Sequence, residues 1–449
     1  MSSLLETTIR VYIWLGFLLY AILFALNGED SISWYNALNV YTFVCYAMIL
    51  WVSSNWAENH YTNRNLGLTI FGYSLVTLTL YLLLSDYYTG NTFMFSEDDA
   101  KLYEKASFSR YDMPISEWIP DMMRRNVEYA DWGAGVIFSL IVHIIPSKLF
   151  VNFCDVILNT ISGLCLFEIG KSIMHCRYAY LAALAYCISS YCFFFMGSFL
   201  KEIIFVFWVV LSLYFLYLYH QHDRLRYLVM AGLSSLVVIF FRPPVTVFIW
   251  MAFITMFFLK TKNGVFRGIG ILAILVVLVA AFGMLKDASD KYGNDGEAVV
   301  LYEKTNTFQK SVLYAGALIG PFPRMLKVDD EKDYKPIFGS GLLFKLLLFF
   351  AFWKGLWFAV RNKRTEVLPI YAFVLSEVFA LFVAMDGLEL RKSMPHMPFV
   401  ILAAFWFLSA FDNRIESKEE KELHHIQTMR QFKVCILIVI GMVLVWNLR

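Results

Sequence analysis

The stretch Trp132-Gly133-Ala134-Gly135-Val136-Ile137-Phe138-Ser139-Leu140-Ile141-Val142-His143-Ile144-Ile145 decides how the chain threads. It is apolar almost throughout, but it holds only 14 residues. A helix needs ~20 apolar residues to cross ~30 Å of hydrocarbon, so this length suits an interfacial or re-entrant segment. Charge bias arbitrates, because Lys and Arg in short loops collect on the cytoplasmic side of a membrane. With 132–145 kept out of the count, one side receives Arg10, Arg64, Lys171, Arg177, Arg224, Arg226, Lys260, Lys262, Arg267, Arg361, Lys363, Arg364 and the charged run 414–433. The other side receives 27–33, which has neither Lys nor Arg. If 132–145 spanned, every later loop would change sides and the bias would reverse. The stretch is therefore expected at the membrane surface.

Working outward from it, the chain is 449 residues, 59% hydrophobic and only 16% charged. A soluble domain carries roughly 25% charge, and apolar runs of spanning length recur from end to end. The fold class is an all-α polytopic membrane protein forming one integral domain over 1–449. We read about thirteen spans, near 8–26, 35–54, 67–85, 149–170, 178–196, 203–219, 227–241, 245–259, 268–285, 342–360, 367–385, 398–411 and 433–447. Residues 1–10 lack the basic start and cleavage signature of a signal peptide, so the first run reads as a retained anchor with a cytoplasmic N-terminus. A net charge of +2 gives no reason to expect nucleic acid. The seven cysteines lie in or beside apolar runs, which implies neither a disulfide framework nor a CxxC metal site.

Two long polar segments, 86–148 and 286–341, fall on the non-cytoplasmic face and are expected to carry juxtamembrane helices. The segment 412–433 reads as a solvated cytoplasmic helix, and His424 and His425 in it are neighbours rather than at zinc-binding spacing. In the first long loop, Glu97-Asp98-Asp99 opens a short amphipathic helix that runs on through Tyr103. Acids there suit the positive end of the helix dipole. Either Asp98 or Asp99 could also act as a general base toward a hydroxyl, since a carboxylate beside apolar lipid can have a raised pKa. Lys201, Arg242, Arg391 and Lys392 lie on the same face and oppose the positive-inside trend. Such cations would hold a phosphate and stabilise the charge it takes up on leaving. A donor with its phosphate at the surface and its lipid tail in the bilayer fits that arrangement. No metal-ligand cluster stands out, as His143 and His396 are isolated.

The order of short motifs resembles the GT-C superfamily of membrane glycosyltransferases, the group of the protein mannosyltransferases and the bacterial aminoarabinose transferase. The resemblance rests on Glu97-Asp98-Asp99 with Ala100 and Tyr103, then Asp131-Trp132-Gly133, Val151-Asn152, Gly170-Lys171 and the Ala-rich run 178–187. It continues through Phe199-Leu200-Lys201-Glu202, Arg242-Pro243-Pro244, Gly320-Pro321-Phe322-Pro323 and Arg391 before Pro395–Pro398. These cover most of residues 86–411. The resemblance implies an inverting transfer from a polyprenyl-phosphate sugar, or in some branches a diphosphate-linked one. Asp99 or Asp98 would be the base, with Asp99 preferred for its place before Ala100 and Tyr103. Lys201, Arg242 and Arg391 would contact the donor phosphate, and Glu97, Tyr103 and Glu202 would serve the acceptor or support the site. Some relatives use a divalent metal held partly by carboxylates, so metal dependence stays open. Two spans more than in many members precede the acidic loop, and no soluble C-terminal domain follows. That favours a glycan or lipid acceptor over a protein, and a bacterial inner membrane is the expected location. The neighbouring reading is a polysaccharide polymerase or ligase using lipid-linked repeats. A transporter or lipid-glycan flippase is the alternative of another class, with Asp155 inside a span as its best feature.

Overall fold

The computed structural model describes residues 3–28, 33–90, 99–260, 318–326, 335–383, 389–412 and 418–448, and these are helices joined by turns. The expected span 268–285 and most of the second long loop lie outside the described residues. The first three helices are α1 (Leu4–Asn27), α2 (Trp34–Ser54) and α3 (Asn63–Thr89). Each begins on a hydroxyl cap: Ser3, Ser33 and Thr62 accept from the backbone N–H of Glu6, Asn36 and Asn65. A cap of this kind satisfies one of the donors that a helix start leaves open. The third helix stops at Gly90, whose φ of 63° is the left-handed conformation that glycine adopts without strain.

Three shorter helices follow: α4 (Asp99–Ser109), α5 (Ile115–Arg124) and α6 (Trp132–Ile144). Next come α7 (Lys148–Ile173), α8 (Cys176–Cys187), α9 (Ser190–Gly197), α10 (Glu202–His222), α11 (Leu225–Val238) and α12 (Pro243–Lys260). The described part ends with α13 (Gly339–Leu347), α14 (Phe349–Arg361), α15 (Leu368–Val383), α16 (Leu390–Ser393), α17 (Met397–Asp412) and α18 (Lys418–Leu448). Among the described residues, nine helical stretches are long and apolar enough to cross a membrane, or ten if α8 and α9 form one bent span. The stretches expected at 227–241 and 398–411 are helices of 14 and 16 residues, shorter than those nine.

The bend between α8 and α9 is 45°. Breaking a helix inside a bilayer frees backbone groups that water cannot reach. Here side chains take them up. Asn159 Nδ2 donates to the Cys187 carbonyl at 3.0 Å, and Ser189 Oγ donates to the Tyr186 carbonyl at 2.6 Å. Small residues also let α7 and α8 approach closely: a Cβ on Gly170 would stand 2.6 Å from that of Ala179.

Helix α6 lies along α4 rather than away from it. Just before its start, Asp131 accepts from the Tyr103 hydroxyl at 2.7 Å. Just past its end, Lys148 pairs with Glu104, the next residue of α4. Between these, His143 Nδ1 sits 2.9 Å from the Tyr111 carbonyl, and the Phe138 ring lies 6.0 Å from that of Tyr103. A buried ion pair locks the layer. Arg110 Nε donates to Asp121 Oδ2 at 3.0 Å, and Arg125 Nε donates to the other oxygen at 2.9 Å.

At one end of the bundle, Asp412 closes α17 against α1 and α8. It accepts from Leu4 N at 3.1 Å and from the Tyr178 hydroxyl at 2.5 Å. The candidate functional residues collect at the other end, where α17, α10 and α12 begin.

Candidate active site

The site assembles where helix starts meet. Asp99 opens α4, Glu202 opens α10 directly after Lys201, Arg242 precedes α12, and Arg391 lies in the short α16 ahead of α17. Acids at helix starts are favoured by the dipole. Phe199, with φ of 51°, turns the chain sharply between α9 and α10. That conformation is costly for a non-glycine residue. It is held by burial of the ring against Phe138 at 4.7 Å, and it brings Lys201 and Glu202 inward.

Arg391 is the hub. Its Nη1 donates to Asp99 Oδ2 and its Nε donates to Glu202 Oε1. Arg242 Nη2 reaches the same Glu202 oxygen at 3.4 Å, while its Nη1 donates to the Arg391 carbonyl at 2.9 Å. The Arg242 guanidinium also lies over the Phe205 ring, 5.5 Å from its centroid. Glu202 therefore anchors two guanidiniums through one oxygen. Its Oε2 is buried without a hydrogen-bond partner among the described residues.

Lys201 serves a second cluster. Its Nζ donates to Asp131 Oδ1 and to the carbonyls of Ala130 and Phe241, both at 3.2 Å. An ammonium has three donors, and all three are used. Asp131 also accepts from Tyr103, as above. Burial pushes the Asp131 carboxyl up, but the Lys201 ammonium, the hydrogen bonds from Lys201 and Tyr103, and Arg391 outweigh it and hold the group below its usual range. Burial, and then the Asp131 charge, push the Tyr103 phenol well above its ordinary value, which keeps it a donor. The Asp99 side chain is 46% exposed, in contrast to Glu202 at 0%.

Of the residues singled out in the sequence, Asp99, Glu202, Arg242 and Arg391 meet in one network, and Tyr103 and Lys201 form the cluster beside it through Asp131. Glu97 and Asp98 lie outside the described residues. Asp131 was not among the sequence candidates, although it stands in the motif Asp131-Trp132-Gly133. Its signal would have been an acid immediately ahead of an apolar surface helix. No group of three or more His, Cys, Asp or Glu side chains suited to a metal occurs among the described residues. Asp155 of α7 is fully buried, and both its carboxyl oxygens lack a hydrogen-bond partner among the described residues. His396 Nδ1 lies 3.6 Å from Glu377 Oε2.

Residues 131–285 match the sequence model of the family described as Dolichyl-phosphate-mannose-protein mannosyltransferase, a stretch that begins at the Asp131 of this site. No curated protein matches the chain. Among solved structures the chain is similar to the archaeal oligosaccharyltransferase AglB from Archaeoglobus fulgidus, determined with an inhibitory peptide and a dolichol-phosphate. The identity is 14% and the TM-score 0.43, over 85% of this chain and 54% of that one. The chain thus spans about half the length of that structure.

Proposed function

We propose that this chain, a relative of the polyprenyl-phosphate-dependent GT-C glycosyltransferases through residues 131–285, moves a sugar from a polyprenyl-phosphate donor to a glycan or lipid acceptor. The reaction takes place at the non-cytoplasmic face. The observation that carries this reading is the position of Arg391, which joins an accessible carboxylate, Asp99, to a buried one, Glu202.

Asp99 is the general base. The acceptor hydroxyl oxygen attacks the anomeric carbon, the bond from that carbon to the phosphate oxygen breaks with inversion, and the hydroxyl proton passes to the Asp99 carboxylate. The leaving polyprenyl phosphate takes up the electron pair. Arg391, with five N–H donors in a planar fork, stabilises that charge, and Arg242 assists it. Glu202 keeps both guanidiniums in place. The contact between Asp99 and Arg391 is the resting arrangement, and an arriving phosphate takes over part of the Arg391 fork and leaves Asp99 facing the acceptor. Lys201 commits its donors to Asp131 and to the Ala130 and Phe241 carbonyls, and Tyr103 commits its hydroxyl to Asp131, so they act by positioning the loop that carries Asp131 against α4.

The deciding experiment uses purified protein in nanodiscs with membrane extract as the source of lipid-linked sugars. Mass spectrometry follows released polyprenyl phosphate, wild type against Asp99→Asn. Release by the wild type and loss in the variant is the expected outcome. Release of polyprenyl diphosphate instead would mean joining of lipid-linked repeats. No release with any lipid donor would reject a transferase.

A further inference from the structure

Away from this network, α18 touches the bundle along one narrow stripe. Phe432, Ile436, Val439 and Val443 are buried, while Val434, Leu437, Ile438 and Val445 are exposed. Beside that stripe, α14 and α18 leave a groove of about 410 Å³ walled by Phe349, Val434, Ile438 and Met442, with Ile319 also lining it. Positions 430 to 442 run along about 18 Å of helix at 1.5 Å per residue. Half of the ~30 Å hydrocarbon core is about 15 Å, so the groove matches the depth of one leaflet.

The groove is apolar along its length and basic at one end. Arg430 and Gln431 close it there, and Lys354 Nζ of α14 donates to Gln431 Oε1 at 2.9 Å. Among the described residues, no carboxylate pairs with Arg430 or Lys354. One cation at the mouth of an apolar trough, with a second bonded to the glutamine beside it, calls for an anion with an apolar tail. The end in question is the one opposite the active site. Asn447, near the other end of α18, bonds the Pro323 carbonyl and Met325 N at 3.0 and 2.8 Å. Met325 in turn accepts from Asn39 near the start of α2, far from the Leu4–Asp412 end.

We propose that the groove between α14 and α18 binds an anionic glycerophospholipid of the leaflet opposite the active site. One acyl chain lies along Val434, Ile438 and Met442, and the headgroup phosphate is held by Arg430 and Lys354. The site is separate from the donor network and does not depend on the proposed reaction.

The test is native mass spectrometry of the full chain released from nanodiscs of phosphatidylcholine with one-fifth phosphatidylglycerol. The wild type is expected to retain phosphatidylglycerol over phosphatidylcholine. A basic side chain near an anionic lipid contributes about 1 kcal/mol, roughly fivefold each. The double variant Arg430→Gln/Lys354→Gln is therefore expected to lose about twenty-five-fold in that preference. Val434→Trp fills the groove and is expected to remove retention of both lipids. Equal retention of the two lipids by the wild type, or an unchanged preference in the double variant, would overturn the proposal. So would a dimer in the wild type that Val434→Trp dissolves, since the groove would then seat a second copy.

Discussion

Arg391 donates through Nε to a carboxylate with no exposed surface, that of Glu202, which lies 189 positions earlier in the chain. The same carboxylate oxygen faces Arg242, so one buried negative charge holds two guanidiniums together. Replacing Glu202 by Gln preserves shape and removes that charge. Donor turnover is expected to fall about 100-fold or more, the scale for losing a preorganised charge stabiliser. The melting temperature should also drop, since removing one partner of a buried pair leaves the other uncompensated. Turnover assays and thermal unfolding in nanodiscs check both effects. A variant within twofold of the wild type would show that Glu202 does not organise the arginines.

Asp99 and Asp131 are both acids paired to cations, and they should fail differently. Asp99 is 46% exposed and its pair with Arg391 contributes little to folding. Asp99→Asn is expected to lower kcat by 10²–10⁴, the range for a general base, with the melting temperature unchanged. The Lys201 side chain opposite Asp131 is only 9% exposed. Asp131→Asn leaves that charge without its counter-ion and should cost about 1–3 kcal/mol of stability, between the values for exposed and fully buried pairs because Asp131 itself reaches solvent. Unfolding and turnover measured on the same two preparations separate the roles. Identical profiles would sink the division proposed here.

The spans were legible in the sequence because a run of apolar residues is a local signal, and α1, α2, α3, α7, α10 and α12 fall where hydropathy puts them. The cations Lys201, Arg242 and Arg391 stood out in the sequence as charges set against the expected positive-inside trend, and the helix starts that carry them lie close together. Their division of labour was not. That Lys201 spends its donors on Asp131, Ala130 and Phe241, whereas Arg391 bridges two acids, depends on contacts across 40 to 292 positions. No periodicity encodes such contacts. Asp131 escaped for the same reason, being one acid in a short turn until Tyr103 and Lys201 are seen against it. The break between α8 and α9 carries no Pro or Gly, and its support by Asn159 comes from another helix.

The layer formed by α4, α5 and α6 should respond to acid. Burial pushes the Asp121 carboxyl up, but Arg125 and Arg110 outweigh it and hold the group below its usual range. A carboxyl depressed in the folded state contributes stability above its unfolded value of ~3.9, and that contribution is lost as pH falls through the lower folded value. Trp118 is buried in the same helix and reports on the layer. Its fluorescence should stay native from neutral pH to about pH 4 and change below that. In Asp121→Asn the layer should be weaker at pH 7, and the difference from the wild type should vanish at low pH. An Asp121→Asn acid limb that overlays the wild type, with equal stability at pH 7, would refute the role given to this pair.

The path of α6 fixes the sidedness of the rest of the chain, and two exposed positions test it. Glu117 of α5 lies before α6, and Asp223, with φ of 55°, closes α10. If α6 stays at the surface, three crossings separate them, namely α7, the bent pair α8 and α9, and α10. The two positions then face opposite sides. If α6 crosses, the number becomes four and they share a side. Glu117→Cys and Asp223→Cys are read with a membrane-impermeant maleimide on sealed vesicles, before and after permeabilisation, with the wild type as the background of native thiols. We expect Glu117→Cys to label from the side of the active site and Asp223→Cys only from the other. The contacts favour that outcome physically, because Tyr103 and Glu104 are adjacent in α4 yet reach Asp131 and Lys148 at the two flanks of α6. A helix crossing ~30 Å of hydrocarbon would hold those flanks too far apart for neighbouring residues to touch both. Labelling of both positions from one side would send α6 through the membrane and remove Asp99 and Arg391 from a common face.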